Sequence, residues 1–174
     1  PTDHPEFEKV ENEVKARYEK LMAVKGTQTV DSFHKRLGLI MWDHVGIARN
    51  KEKLEEAITM IQELRKEFWS DVRIPGTINE LNTELDKAMR VADFLELGEL
   101  MARDALDRNE SCGGHFREEY QTPEGEALRD DENFTYVSAY EFKGVDQDGA
   151  GFQFQGVVIE DNDTIIRFQS NTLG

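Results

Sequence analysis

The sequence predicts a mainly α protein. It reads as an antiparallel three-helix bundle with an extra N-terminal helix, followed by an irregular acidic segment and a tail patterned as a short β-hairpin. Three observations carry this. Apolar residues recur at steps of three and four in four stretches of the first 109 residues. Only short breaks separate the last three stretches, which favours antiparallel neighbours. Beyond residue 110 the helical period stops, and acids, Gly, Pro and Asn take over. The expected units are 1–109, the bundle; 110–145, the acidic segment; and 146–174, the tail.

The first helix is expected over 6–25, with Phe7, Val10, Val14, Tyr18, Leu21 and Val24 on one face. Gly26 then suits a left-handed C-cap. The second, over 30–45, carries Phe33, Leu37, Ile40, Met41 and Val45, with Thr29 as N-cap and Gly46 at its end. The third, over 51–69, follows the N-cap Asn50 and buries Leu54, Ile58, Ile61, Leu64 and Phe68. Pro75 and Gly76 break the pattern. Thr77 and Glu80 have capping-box spacing, so the fourth helix is expected over 78–109. Its seam is Leu81, Leu85, Ala88, Ala92, Leu95 and Ala102, widened by Phe94, Leu97, Met101 and Ala105. A strand is expected at 134–142. Phe152-Gln-Phe-Gln, Val157-Val-Ile and Ile165-Ile-Arg-Phe flank the polar turn at 160–163, as in a hairpin.

Size and charge narrow the function. With 174 residues, one domain plus a tail is expected, long enough to bury a core. Apolar residues are 38% and charged ones 33%, as in helices with one buried stripe. The net charge of −15 argues against nucleic acid and against adsorption to anionic lipid. No run approaches the ~20 apolar residues of a membrane helix, so no direct membrane insertion is expected. Pro1-Thr-Asp-His-Pro5 has neither the charge nor the apolar core of a signal peptide and reads as a cut in a longer chain. The single cysteine, Cys112, suits a reducing compartment.

The chemistry concentrates in Asn109-Glu-Ser-Cys-Gly-Gly-His-Phe-Arg-Glu-Glu-Tyr120 and Arg129-Asp-Asp-Glu-Asn-Phe134. Cys112-x-x-His115 offers two metal ligands where a structural zinc needs four, so no metal is expected. As a nucleophile, Cys112 lacks an orienting group beyond His115. Asp146-Gln-Asp-Gly-Ala-Gly151 resembles the start of a calcium loop but fails at Ala150 and Val157. Gly113 and Gly114 suggest a sharp turn, after which His115 and Arg117 could face the same side. Arg117, Arg129, Asp130 and Asp131 fit two readings equally: a paired network in a buried junction, or a solvated loop with weak surface pairs.

These residues also resemble a known family. Glu110-Ser-Cys-Gly-Gly-His-Phe-Arg117 with Arg129-Asp-Asp-Glu-Asn-Phe134 is similar to the Glu-Ser-Arg-Gly-Ala-His-x-Arg…Arg-Asp-Asp-x-x-Trp/Phe signature. That signature belongs to the flavoprotein subunit of succinate dehydrogenase and fumarate reductase. Met41 through Gly46 to Arg49 resembles its Met-x-x-x-x-Gly-x-x-Arg helix end, and 90–106 its last bundle helix. The resemblance covers roughly 1–145. Cys112 stands where the family usually has arginine, and Gly114 where it has alanine.

The resemblance implies the C-terminal helical domain of that subunit. The complete subunit would interconvert succinate and fumarate with FAD and pass electrons to an iron–sulfur subunit, with a membrane anchor subunit beyond it. It would lie in the cytoplasm, peripheral to the inner face of the cell membrane. No catalytic or flavin-binding residue carries over to this stretch, which by itself is expected to bind no cofactor and to be inactive. His115, Arg117, Arg129, Asp130 and Asp131 are expected to dock it against its own flavin-binding domain. The alternatives are the corresponding domain of an L-aspartate oxidase and a free-standing acidic helical interaction module.

Overall fold

The computed structural model describes residues 3–145 together with the strands at 152–159 and 166–167. Four long helices lead the chain: α1 (Pro5–Ala23), α2 (Val30–His44), α3 (Lys51–Asp71) and α4 (Thr83–Asp107). Each opens on a residue whose side chain accepts a hydrogen bond from the first turn: His4, Thr29, Asn50 and Asn82. These bonds satisfy amides that no helix can satisfy internally.

Two pairs of very short parallel strands tie the helix ends together. β1 (Gln28–Thr29) precedes α2 and pairs with β3 (Val72–Arg73), which follows α3. β2 (Ala48–Arg49) follows α2 and pairs with β4 (Phe116–Arg117), beyond α4. The start of α2 therefore meets the end of α3, and the ends of α2 and α4 meet each other. The result is an up–down–up bundle with α3 antiparallel to both neighbours. α1 lies against α4, where Arg17 pairs with Asp93 at 2.6 Å.

The core is the merged stripe of α2, α3 and α4. Phe33, Leu37 and Ile40 meet Leu54, Ile61, Leu64 and Phe68, closed by Leu85, Ala88, Leu95 and Ala102. Phe33 and Phe68 pack edge to face with centroids 5.3 Å apart. Gly98 lets α4 approach, since a Cβ there would lie 3.2 Å from Met41 Sδ and 3.3 Å from Leu37 Cδ1. Between α3 and α4 sits a buried charge cluster. Arg65 binds Glu99 and lies 3.4 Å from Glu96, while Gln62 and Arg103 also donate to Glu99. Burial alone would raise the Glu99 carboxyl; the Gln62 hydrogen bond and the Arg65 and Arg103 charges outweigh it and hold it below the usual carboxylate range.

Several sequence expectations need correcting. The fourth helix begins at Thr83, not 78, because Asn82 caps Leu85's amide and also donates to the Pro75 and Thr77 carbonyls. Glu80 takes the Thr77 amide in the turn before the helix, and Leu81 is 96% exposed rather than part of the seam. Phe94, Leu97 and Met101 are also exposed, because contact through Gly98 aims the adjacent face of α4 inward. In α1 only Leu21 is buried, and Phe7, Val10 and Val14 face outward. Gly26 is no left-handed cap; α1 ends at Ala23, and Gly26 instead touches the end of α3.

The last part of the chain is a sheet. After the one-turn helix α5 (Asp131–Phe134), β5 (Val137–Val145) pairs antiparallel with β6 (Phe152–Ile159). The predicted strand thus runs over 137–145 rather than 134–142. β6 in turn pairs with β7 (Ile166–Arg167). The antiparallel β6–β7 pair matches the expected hairpin, which β5 extends to a three-stranded sheet. The acidic motif at 146–151 and the polar turn at 160–163 lie outside the described residues.

Three consequences are measurable by urea unfolding. A Cβ on Gly26 would lie 1.9 Å from the Asp71 carbonyl carbon and oxygen. Gly26→Ala should destabilise by about 2 kcal/mol or more. Gly38→Ala, on an open face of α2, should stabilise by about 0.5 to 1 kcal/mol. Glu99's depressed pKa contributes stability that is present above its unfolded value and lost as pH falls through the folded one. The stability gap between wild type and Glu99→Gln should therefore narrow as pH drops from 7 through the carboxylate range near about 4; a constant gap would contradict it.

Candidate functional site

The conspicuous segment at 109–120 closes two helix ends. A helix leaves its last four carbonyls without internal partners and its C-terminus partly negative. At the end of α4, Arg117 Nη1 donates to the Ala105 carbonyl at 2.9 Å and to Leu106 at 3.1 Å. His115 Nε2 lies 2.9 Å from the Arg108 carbonyl. A carbonyl can only accept, so Nε2 carries the proton and Nδ1 is free to accept from Arg49 Nη1 at 3.4 Å.

The backbone explains why these side chains arrive there. Gly113, at φ 58°, lets Cys112 and His115 exchange amide–carbonyl bonds of 2.8 and 3.0 Å across a tight turn. The chain then pairs with β2, and the Glu118 amide donates to the Arg49 carbonyl at 2.8 Å. Ser111, fully buried, clasps Arg117 from both sides: its hydroxyl accepts from the Arg117 amide at 2.8 Å and donates to the Arg117 carbonyl at 3.1 Å. The guanidinium lies 5.4 Å from the Tyr120 ring centroid, and Arg117 is 1% exposed.

The next two residues serve the opposite helix end. Glu119 accepts from the Lys51 amide, the first of α3, and its other oxygen accepts from Arg117 Nε at 3.2 Å. Glu118 accepts from Asn50, the α3 N-cap, at 2.6 Å. Arg-Glu-Glu thus sets a cation on a negative helix end and two anions on a positive one. Burial opposes the Glu119 charge, but the Lys51 amide and Arg117 outweigh it and hold the carboxyl low. Burial, with the charges of Arg49, Arg117 and Arg108, keeps His115 below its ordinary value, against the hydrogen bond to the Arg108 carbonyl. Arg49 is lowered by burial and by Arg117, with Asp104 opposing.

Glu110, 2% exposed, completes the knot. It accepts from Arg108 Nε at 2.7 Å and from the Asp130 amide at 2.9 Å. Beyond it, Tyr140 of β5 donates to Asp104 of α4 at 3.4 Å. Burial and the Asp104 and Asp107 carboxylates push that phenol well above its ordinary value.

The five residues singled out from sequence divide into two groups. His115 and Arg117 meet at the end of α4. Arg129 pairs with Asp131 on the surface at 2.7 Å, and Asp130 caps α5 by accepting from the Asn133 amide at 3.2 Å. The four-residue charge network does not form, because α4's carbonyls draw Arg117 inward to Glu119, while Arg129 has its acid two residues away. Both His115 ring nitrogens are engaged, so neither the zinc pair nor the cysteine–histidine pair is assembled. Arg49, Glu110, Ser111, Glu118 and Glu119 stand in the motifs quoted from the sequence, which assign them no individual role. For Glu118 and Glu119 the readable signal is the Arg117-Glu118-Glu119 run, which follows the Gly113-Gly114 turn after His115 and Phe116.

FAD, which the resemblance implies for the complete subunit, makes specific demands on a binding site. A flavin pyrophosphate needs uncapped helix-start amides or unengaged cations. Here all five described helix starts are closed by the chain's own side chains, and Arg117 is bonded to α4. The described helix starts and the buried Arg117 therefore offer the group no open anion site.

The described residues thus form a helical bundle with a charge-stapled appendage and side-chain-capped helix starts. The chain belongs to the family described as fumarate reductase flavoprotein C-term, which matches residues 34–169. It is 33% identical to the Escherichia coli fumarate reductase flavoprotein subunit over 121 residues, 70% of this chain and 19% of that protein. An L-aspartate oxidase of Vibrio cholerae is 34% identical over 87 residues, 48% of the chain and 14% of the oxidase. Among solved structures, FrdA of Escherichia coli quinol fumarate reductase superposes with a TM-score of 0.74 at 27% identity, covering 91% of this chain and 25% of that one. A Mycobacterium smegmatis Sdh1 complex gives 0.69 at 25% identity, over 86% and 24%. The chain spans about a fifth of the curated relatives' length and about a quarter of the solved chains'. It is thus a C-terminal domain of the oxidoreductase family of fumarate reductase and succinate dehydrogenase flavoproteins.

Removing the central cation leaves the Ala105 and Leu106 carbonyls without this donor and takes one of Glu119's two partners away. Arg117→Ala should cost about 3 to 5 kcal/mol, and Arg117→Lys should recover only part of it, because one ammonium cannot reproduce the fork. Urea unfolding checks both; a loss under about 1 kcal/mol for Arg117→Ala would contradict the capping role.

Proposed function

We propose that this chain is the docking and stabilising C-terminal domain of a flavoprotein that, when complete, interconverts succinate and fumarate with FAD and passes electrons to an iron–sulfur subunit. The observation that carries the reading is the family match over 34–169, joined to a chain covering only a fifth of its relatives. The chemistry is then the work of the remaining polypeptide, where FAD would sit. The membrane anchor is reached through the iron–sulfur subunit, so the domain lies in the cytoplasm at the inner face of the membrane. No described helix is long and apolar enough to cross one.

The docking surface is the stapled end of the bundle. The exposed Arg129–Asp131 pair stands there with exposed Leu128, whose carbonyl accepts from the Ser111 amide, and with Ile47 beside β2. His115, Arg117 and Asp130 hold that surface in shape from beneath. An L-aspartate oxidase domain is the second reading. The shorter match, 87 residues against 121, disfavours it.

Two measurements test this. Alone, the 174-residue chain should carry no flavin absorbance and oxidise no succinate; either activity would overturn the assignment. In the complete subunit, Ile47→Asp with Arg129→Glu should lower the thermal midpoint while the succinate KM stays put. The same change should leave the isolated chain's midpoint alone, since both side chains are exposed. An equal drop in both would make their role internal.

A further inference from the structure

We propose that His115 and Arg49 form a pH-sensitive latch between the turn after α2 and the segment after α4, closed while His115 is neutral and released on its protonation. The proposal is independent of the docking reading and rests on how the ring is held. Its Nε2 donates to the Arg108 carbonyl at 2.9 Å, which leaves Nδ1 as a bare acceptor facing Arg49 Nη1 at 3.4 Å. A proton on Nδ1 would turn that acceptor into a second donor aimed at a guanidinium. Arg49 cannot simply swing away, because its Nε donates to the Gly46 carbonyl at 3.0 Å and its backbone pairs with β4.

The surrounding charges favour release. From α4 and its cap come Arg108, Asp104 and Asp107; from β2, Arg49; from β4 and beyond, Arg117, Glu118 and Glu119; from the loop, Glu110. Glu110 is already bonded to Arg108 and Glu119 to Arg117. Asp104 acts on Arg49 only through space. What favours the imidazolium is the carbonyl end of α4; half-burial and three guanidiniums oppose it, and the balance lies below the ordinary histidine value. Protons therefore bind the open form better than the closed one. The latch is at full strength above about pH 6.5 and weakens as pH falls through the folded-state value. Opening would separate β2 from β4, the Glu118 amide from Arg49, and Glu119 from the start of α3.

Hydrogen exchange read by mass spectrometry tests it, on the chain with any upstream polypeptide intact, at pH 7.5, 6.5 and 5.5. Rates are normalised to each peptide's intrinsic exchange. Peptides spanning 45–52 and 109–120 should exchange severalfold faster at pH 5.5 than at 7.5, while 54–68 in the bundle core should not change. His115→Gln, which keeps a donor for the Arg108 carbonyl but cannot titrate, should remove that pH dependence. Arg49→Met should raise the His115 pKa followed by NMR. Normalised exchange that is flat with pH, full pH dependence in His115→Gln, or an unmoved His115 pKa in Arg49→Met would each overturn the latch.

Discussion

The structure turns on one guanidinium at the end of one helix. α4 is the longest described helix and lies against α1, α2 and α3, yet it ends without a glycine cap, on Arg108 in extended conformation. Its terminal carbonyls would face a buried junction with nothing to accept from. Arg117, arriving from β4, meets two of them and brings a full positive charge to the negative pole. Unpaired, that buried cation would be costly. Paired with Glu119 and set against the carbonyls, it makes the appendage part of the bundle.

The same two-ended logic explains the direction of the segment. Parallel pairing with β2 places residue 117 beside Arg49 and so puts 118 and 119 over the start of α3, one residue on. A cation followed by two anions fits that geometry in only one register, because slipping by one residue would set a carboxylate against α4's carbonyls. At the opposite end of the bundle, β1 and β3 tie α2 to α3, and Gly26 packs on the Asp71 backbone. The bundle is thus clamped at both ends by strands of two residues. Such strands are too short to persist alone and depend on the side chains around them.

Much of the fold was legible in the sequence. The stripes of α2 and α3 matched the buried residues because each is amphipathic with a single neighbourly face. α4 was harder to read. Its apolar residues cover more than one face, and periodicity alone could not tell that Gly98 would aim 91, 95 and 102 inward and leave 94, 97 and 101 in solvent. The helix start was misplaced because Thr77–Glu80 and Asn82 both offer capping chemistry, and only the tertiary bonds of Asn82 decide between them. α1 shows the converse, since an apolar period does not guarantee a neighbour to bury it. At the site, the motif was visible but its partners were not. Arg49 and Arg117 are 68 positions apart in sequence, a contact that a single sequence read alone cannot reveal, whereas Glu118 and Glu119 could have been read as helix-start anions.

The most direct measurement of the central interaction is a double-mutant cycle on Arg117 and Glu119. Wild type, Arg117→Ala, Glu119→Ala and the double variant would be compared by urea unfolding of this chain. If the cation on α4 and the anion on α3 act as one staple, the two losses will fall short of additivity by about 1 to 2 kcal/mol. Additivity within about 0.3 kcal/mol would mean that each residue caps its own helix alone, and that the two helix ends are not joined through this pair.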